Sequence, residues 1–146
     1  MVVAGTMVLA LLGAGALHAA SSGAPFKGGG AGSINGQDVL GPTLVHLTAS
    51  ASGNATHLGQ FTRTESLYLN PATGSFTGTI TFTSADGDNV SCDVDGQFIS
   101  ASDAIGNYTI TGGTGRFGQA SGHATFSASM TSATNFRVSF QGDITW

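Results

Sequence analysis

Apolar and polar residues alternate along most of this chain from about residue 34 to its end. The stretch FTGTITFTS shows the pattern most clearly, because Phe76, Ile80 and Phe82 fall in one phase and four threonines fall in the other. A period of two residues is typical of a β-strand with one buried face. The turn ADGDN follows, and VSCDVDGQF then repeats the alternation, which predicts a hairpin whose two strands bury the same side.

Eight such extended runs are separated by turn signals, and none of them has a convincing helical period. Most connections are short, which favours sequential antiparallel pairing. Closing such a meander removes its unpaired edges, so we predict an all-β fold, an eight-stranded antiparallel up-and-down β-barrel. A two-sheet sandwich remains the alternative, because period-two patterning does not distinguish the two. The predicted strands lie near residues 34–40, 43–52, 56–69, 76–84, 89–100, 106–112, 120–130 and 135–146.

The last of these runs is among the most regular. Its apolar phase holds Phe136, Val138, Phe140, Ile144 and Trp146, and polar residues fill the other phase. We therefore expect the C-terminal strand to be paired and Trp146 to be packed.

The N-terminal residues differ from the rest. An apolar block from Met7 to Leu17 precedes small residues at Ala19 and Ala20, which predicts a secretory signal peptide at 1–20, although no Lys or Arg comes before the block. The block is short for a bilayer, so no stable membrane span is expected after processing. Residues 21–33 predict a flexible lead-in, and 34–146 a single barrel domain in a secreted or periplasmic protein.

Charge and composition narrow the range of partners. The chain has 4 Lys and Arg against 8 Asp and Glu, a weak acidic field of the wrong sign for nucleic acid. Its 23 glycines and 3 prolines suit short strands joined by tight corners. The one cysteine, Cys92, excludes an internal disulfide and lies in the apolar phase of its strand, which favours a buried thiol.

The most organised stretch of the sequence is YTITGGTGRFGQASGHATF, residues 108–126. It predicts a sharp corner at the rim of the barrel, where glycines permit positive φ and Phe117 folds back over the end. A phosphate cradle would need a helix after the glycines, and the sequence continues as a strand instead. The residues of this structural motif are Gly112, Gly113, Thr114, Gly115, Phe117 and Gly122.

That stretch resembles the signature of the allene oxide cyclase-like and dirigent-like β-barrels, calycin-like folds in which a strand ends in Gly-Gly-Thr-Gly-x-Phe. Tyr108, Ile110, Ala120 and the motif residues fit the pattern. ATHLGQFT at 55–62 is similar to bacterial secreted members of unknown function. The resemblance implies a barrel. It leaves the activity open, because such families include cyclases as well as secreted proteins of unknown role, and it leaves the oligomeric state open, because family members often form dimers or trimers.

Charged residues occur in the middle of the third run. His57, Arg63 and Glu65 lie in phase with Phe61 and Leu67 in THLGQFTRTESLYL. If this phase points inward, a charged pair lies in an apolar lumen, where a carboxylate suits proton transfer. If the strand bulges at Gly59 or later, the pair faces water. Because buried charge is rare, we expect the solvated arrangement.

The sequence shows no pattern typical of a metal site. His46, His57 and His123 fall on separate strands, without the spacing of zinc ligands. Aspartates surround the hairpin at 84–95, but they lack the calcium-loop pattern, and capping of their own turn explains them. We predict no metal and no cofactor.

Two classes of function fit these features. In the first, an exported barrel binds a small apolar molecule in a lumen lined by Phe82, Phe98, Tyr108, Phe126 and Phe140. In the alternative, suggested by the resemblance, the barrel is a cofactor-independent cyclase or isomerase that holds a reactive hydrophobic substrate in one conformation. Its polar groups would then be Glu65, Cys92 and Tyr108. A lumen filled with aromatic side chains would leave room for neither.

Overall fold

The computed structural model describes residues 23–146 and forms one closed barrel of eight antiparallel strands. Each strand pairs with its neighbours in sequence, and the first pairs with the last, so the barrel prediction is confirmed and the sandwich is excluded. The strands are β1 (Ala24–Gly41), β2 (Leu44–Ala55), β3 (Gly59–Leu69), β4 (Ser75–Thr83), β5 (Asn89–Phe98), β6 (Asp103–Gly113), β7 (Ser121–Met130) and β8 (Asn135–Thr145).

The barrel is closed by the segment expected to be flexible. The predicted lead-in at 21–33 is wrong from Ala24 onward, because β1 pairs with β8 from Ala24↔Ile144 to Ser33↔Asn135. Its glycines allow the β1 and β2 backbones to lie close together: a Cβ atom at Gly30 would collide with the carbonyl oxygen of Ser52. The expected signal peptide at 1–20 lies outside the described residues.

The period-two alternation follows the sequence closely. Phe76, Ile80 and Phe82 of β4 are buried on the inner side, as predicted. Trp146 differs from the expectation, because β8 ends at Thr145 and the indole is 43% exposed. It packs at the rim instead, with its ring 4.7 Å from that of His57.

Aromatic rings fill one half of the lumen. Phe26, Phe61, Phe82 and Phe140 are almost fully buried there, with ring centroids 5.1 to 6.1 Å apart. We call this the closed half. It lies at the end of the barrel where β2 connects to β3, β4 to β5 and β6 to β7. The other half, towards the loops at 42–43, 70–74, 99–102 and 131–134, is called the open half.

The glycine-rich corner seals the closed half. Gly112, Gly115 and Gly122 have positive φ values of 150°, 56° and 145°, whereas Gly113 does not and is needed for close approach to the Asn89 carbonyl. Phe117 is fully buried in a single 3-10 turn, Gly115–Phe117, and strand β7 follows. The predicted corner is therefore confirmed.

Arg116 connects this corner to two other loops at the same end. Its Nη2 donates a hydrogen bond to the carbonyl oxygen of His57. Its Nε lies 3.3 Å from Asp86 Oδ2 and 3.7 Å from Asp88 Oδ2. The aspartates of the β4–β5 hairpin thus hold the corner in place. Within residues 23–146, no helix is long and apolar enough to cross a membrane.

Replacing Gly30 by alanine should destabilise the barrel. The added methyl group meets the β2 backbone, and overpacking of this kind costs about 1 to 3 kcal/mol in the free energy of unfolding, to be measured by urea denaturation. Gly41→Ala is the matched control on the same strand, because a Cβ atom there meets nothing within 4 Å and the backbone has no positive φ. Equal stabilities of the two variants would contradict the close approach of β1 and β2.

Candidate ligand-binding cavity

The open half of the lumen contains a cavity of about 80 Å³. It begins at the middle of the barrel and opens towards the loops at that end. Most of its walls are aliphatic or aromatic, and only two of its side chains are charged. It is lined by Ile34, Leu47, Ala49, Arg63, Glu65, Leu67, Leu69, Phe76, Ile80, Val94, Phe98, Ser102, Ala104, Tyr108, Phe126, Ala128, Met130, Phe136 and Val138.

The five side chains predicted to line a ligand site divide between the two halves of the lumen. Phe98, Tyr108 and Phe126 line the cavity, and the rings of Tyr108 and Phe126 stack with centroids 4.8 Å apart. Phe82 and Phe140 lie in the closed half and do not reach it. The aromatic side chains therefore fill only part of the lumen, which leaves room for a small molecule in the rest.

The charged pair of β3 lies inside the barrel. Arg63 is 3% exposed and Glu65 is 8% exposed, so the expectation that they face water is wrong. The reason is the regular register of β3, which pairs with β2 and β4 without a bulge and keeps the inward phase of Phe61. The cost of burying two charges is offset because they are paired.

Three groups form a connected polar cluster at the floor of the cavity. Arg63 Nη2 lies 2.9 Å from Glu65 Oε2, and Nε donates a hydrogen bond of 3.0 Å to the same oxygen. Nη1 donates to the Tyr108 hydroxyl oxygen at 2.8 Å. The guanidinium carbon lies 5.5 Å from the centroid of the Phe82 ring, so Arg63 stands at the boundary with the closed half. We call Arg63, Glu65 and Tyr108 the floor cluster.

Burial and charge set the protonation of this cluster. Burial raises the pKa of Tyr108 to about 12, although the nearby Arg63 charge opposes that shift. Burial acts to lower the pKa of Arg63, but Tyr108 and Glu65 outweigh it and the pKa is raised. At neutral pH the cluster therefore holds a guanidinium cation and a neutral phenol.

The floor cluster retains hydrogen-bonding capacity towards the cavity. Every buried side-chain nitrogen and oxygen atom within residues 23–146 has a partner. Glu65 Oε1 accepts no hydrogen bond from these residues, because the two Arg63 N–H groups that reach this carboxylate both bind Oε2. Oε1 is therefore not among the fully buried atoms and keeps accessible surface on the cavity that Glu65 lines. Tyr108 accepts a hydrogen bond from Arg63, and its own proton has no acceptor in the same range. One acceptor and one hydroxyl donor are thus left for a bound molecule, besides two N–H groups of Arg63, one on each Nη, that have no acceptor within the same residues.

Cys92 is separate from the cavity. It lies on β5, is 1% exposed, and does not belong to the lining. Burial raises its pKa to about 12, although Arg63 opposes the shift, so the thiol stays protonated at neutral pH. Of the three polar candidates from the sequence, the structure brings Glu65 and Tyr108 together and leaves Cys92 among apolar neighbours.

Sequence reasoning missed the role of Arg63 as the residue that joins Glu65 to Tyr108, 45 positions further along the chain. It also missed the small side chains Ala104 and Ala128, which create the space. Their inward phase and small size were the available signal, since a barrel that fills its own lumen needs larger side chains at such positions.

Two of the histidines, His46 and His57, and the turn aspartates have local partners. His46 Nε2 lies 2.8 Å from the Ser66 hydroxyl oxygen, and His57 packs on Trp146. Asp86 and Asp88 contact Arg116. In the part of the chain that the structure describes, no group of three His, Cys, Asp or Glu side chains could hold a metal ion.

Comparison of the chain with family models, with curated proteins and with solved structures gives no match.

Removing one charge of the floor cluster should destabilise the barrel more than removing both. Glu65→Leu leaves Arg63 buried without its counter-ion, which costs about 3 to 5 kcal/mol in the free energy of unfolding. Adding Arg63→Met should recover most of that loss, since apolar side chains often replace a buried ion pair at little cost. Urea denaturation measures both, with the exposed Asp93→Asn as a control that changes stability by less than about 0.5 kcal/mol. A double variant as unstable as Glu65→Leu would contradict this account of the pair.

Proposed function

We propose that this protein is an exported β-barrel that binds a small apolar molecule in the open half of its lumen. The observation that carries the proposal is the unfilled space itself. An eight-stranded barrel has little more interior than its own side chains occupy, yet here small residues leave a cavity of about 80 Å³ with a mouth at one end. Mostly apolar walls with a few polar groups are typical of small-molecule sites, although this space is smaller than most of them.

The size of the cavity limits the ligand. A dry apolar cavity of about 150 Å³ holds one benzene molecule, which has six carbon atoms, so a volume of about 80 Å³ holds roughly three carbon atoms, the inner end of a narrow molecule. Leu69, Phe98 and Met130 line the cavity near the strand ends and would cover the rest of it. We therefore favour a slender molecule that enters from the loops of the open half.

Export and family rest on the sequence. The apolar block followed by small residues before Gly23 supports secretion. The glycine motif supports membership of the allene oxide cyclase-like or dirigent-like barrels and a calycin-like fold, and a closed barrel of eight strands is compatible with both. No cofactor is needed for the proposed binding.

A cyclase or isomerase is the second candidate, favoured by the position of Glu65 and Tyr108 on the cavity. Tyr108, with a pKa of about 12, holds its proton at neutral pH and serves as a hydrogen-bond donor better than as an acid. Turnover would then depend mainly on the shape of the cavity, which holds the reacting atoms close together.

Binding of n-pentane, followed through methyl NMR signals, tests the proposal. We expect saturable shifts at Leu67, Leu69 and Met130 and none at Val90 or Ile144 of the closed half. Ala128→Leu fills the cavity and should weaken binding about tenfold or more, because the probe loses buried methylene contacts worth about 0.8 kcal/mol each.

Ala85→Leu is the matched control, since this alanine is exposed in the β4–β5 loop at the opposite end. It should bind n-pentane as the unaltered protein does. Unsaturable shifts, or equal binding by the two variants, would rule out the lumen as the site.

A further inference from the structure

We infer that the cavity selects an uncharged ligand whose polar end accepts a hydrogen bond from Tyr108 and donates one to Glu65. This inference rests on the proposed function and narrows it to a chemical class: slender alcohols, amides and similar neutral amphiphiles, bound with the polar end at the floor.

The charges of the lining are balanced, which disfavours a charged ligand. Arg63 and Glu65 are the charged side chains of the lining, and they compensate each other at 2.9 Å. An anion or a cation that entered would find no free counter-charge. It would lose its hydration in a space where Arg63 and Glu65 are themselves at least nine-tenths buried, and burying an unpaired charge is far more costly than burying a neutral polar group.

The free hydrogen-bonding atoms of the floor cluster favour a polar end on the ligand. A wholly apolar ligand would leave Glu65 Oε1 without a partner and would close it off from solvent. Buried acceptors without a partner are unfavourable, so a ligand that donates to Oε1 has the advantage. Because the Tyr108 proton is also uncommitted, a group that both donates and accepts pairs with Glu65 Oε1 and with the Tyr108 hydroxyl at once.

The direction of binding follows from the two ends of the cavity. The floor cluster lies against Phe82 and the closed half, and the walls between it and the mouth are apolar. The polar end therefore lies deepest, and the hydrocarbon part extends past Leu67 towards Phe98 and Met130.

Matched six-carbon probes test this selection at pH 7. Hexanamide and hexanoate have nearly the same shape and differ in charge. Hexan-1-ol and hexylammonium form a second pair, which is matched less closely in the shape of the head group. Calorimetric titration of the unaltered protein should give hexanamide and hexan-1-ol dissociation constants about tenfold or more below those of the two ions. Hexanoate binding as tightly as hexanamide would overturn the inference, without any variant being needed.

Changing the charge of the floor should change the selection. Glu65→Gln keeps the shape of the side chain but leaves Arg63 without its counter-ion, so hexanoate should gain on hexanamide by about tenfold or more, because an opposite charge is now available in a space of low polarity. Asp93→Asn, the same change on the outside of the barrel, should leave the ratio unaltered. An unchanged ratio in a folded Glu65→Gln variant would overturn the charge argument.

Removing the free donor tests the hydrogen-bond argument separately. Tyr108→Phe should weaken hexanamide relative to n-pentane by a factor of about five to ten, the effect of one lost hydrogen bond. Tyr68→Phe, an exposed tyrosine stacked on His46, is the control. Equal weakening of both probes would assign Tyr108 a role in packing alone and contradict the inference.

The panel also separates this inference from the proposed function. If n-pentane binds and the ions bind as well as the neutral probes, selection for a neutral end is wrong and lumen binding stands. If none of the probes binds, including n-pentane, both proposals are wrong.

Discussion

The interior of this barrel is organised by a buried ion pair. Because β3 keeps its register from Gly59 to Leu69, the alternation that buries Phe61 also turns Arg63 and Glu65 inward. Inside a lumen the two charges must be paired. Arg63 Nε and Nη2 both bind one oxygen of the Glu65 carboxylate, Oε2. A third N–H of Arg63, on Nη1, reaches across to Tyr108 of β6, which connects two separate walls of the barrel.

The two halves of the lumen differ on either side of this pair. On one side large phenylalanines fill the space, and the glycine corner with Phe117 covers the end. On the other side alanines at 104 and 128 leave a cavity. A polar cluster at the boundary thus has one face packed against rings and the other open to a cavity, and its unused hydrogen-bonding atoms belong to the open face.

Much of the fold could be predicted from the sequence, because burial of one face imposes a period of two on every strand with side chains large enough to show it. That pattern identified β4, β5 and β8, and the turn glycines identified the corner. It failed for the first part of β1, since glycines at 28–30 and 32 carry no side chain. The close packing of Gly28, Gly30 and Gly32 against β2 looks in sequence like flexibility. It also failed at Trp146, which lies just past the last strand.

The candidate site was less predictable for a different physical reason. The general rarity of buried charge favoured a solvated Arg63 and Glu65, and nothing local indicates that a tyrosine 45 residues away completes the cluster. The split of the aromatic residues into two halves depends on strand stagger, which sets the height of Phe82 and Phe98 along the axis. Such distances follow from the register of the closed barrel and not from any single strand.

The central claim is that the lumen is packed on one side of the ion pair and open on the other. Crystals of the protein pressurised with xenon test it most directly, since xenon enters accessible apolar cavities and its position is seen in the electron density. The account predicts a xenon site in the open half, bounded by Leu67, Tyr108 and Met130. Xenon among Phe26, Phe61 and Phe82, or an absence of xenon from the lumen, would contradict it.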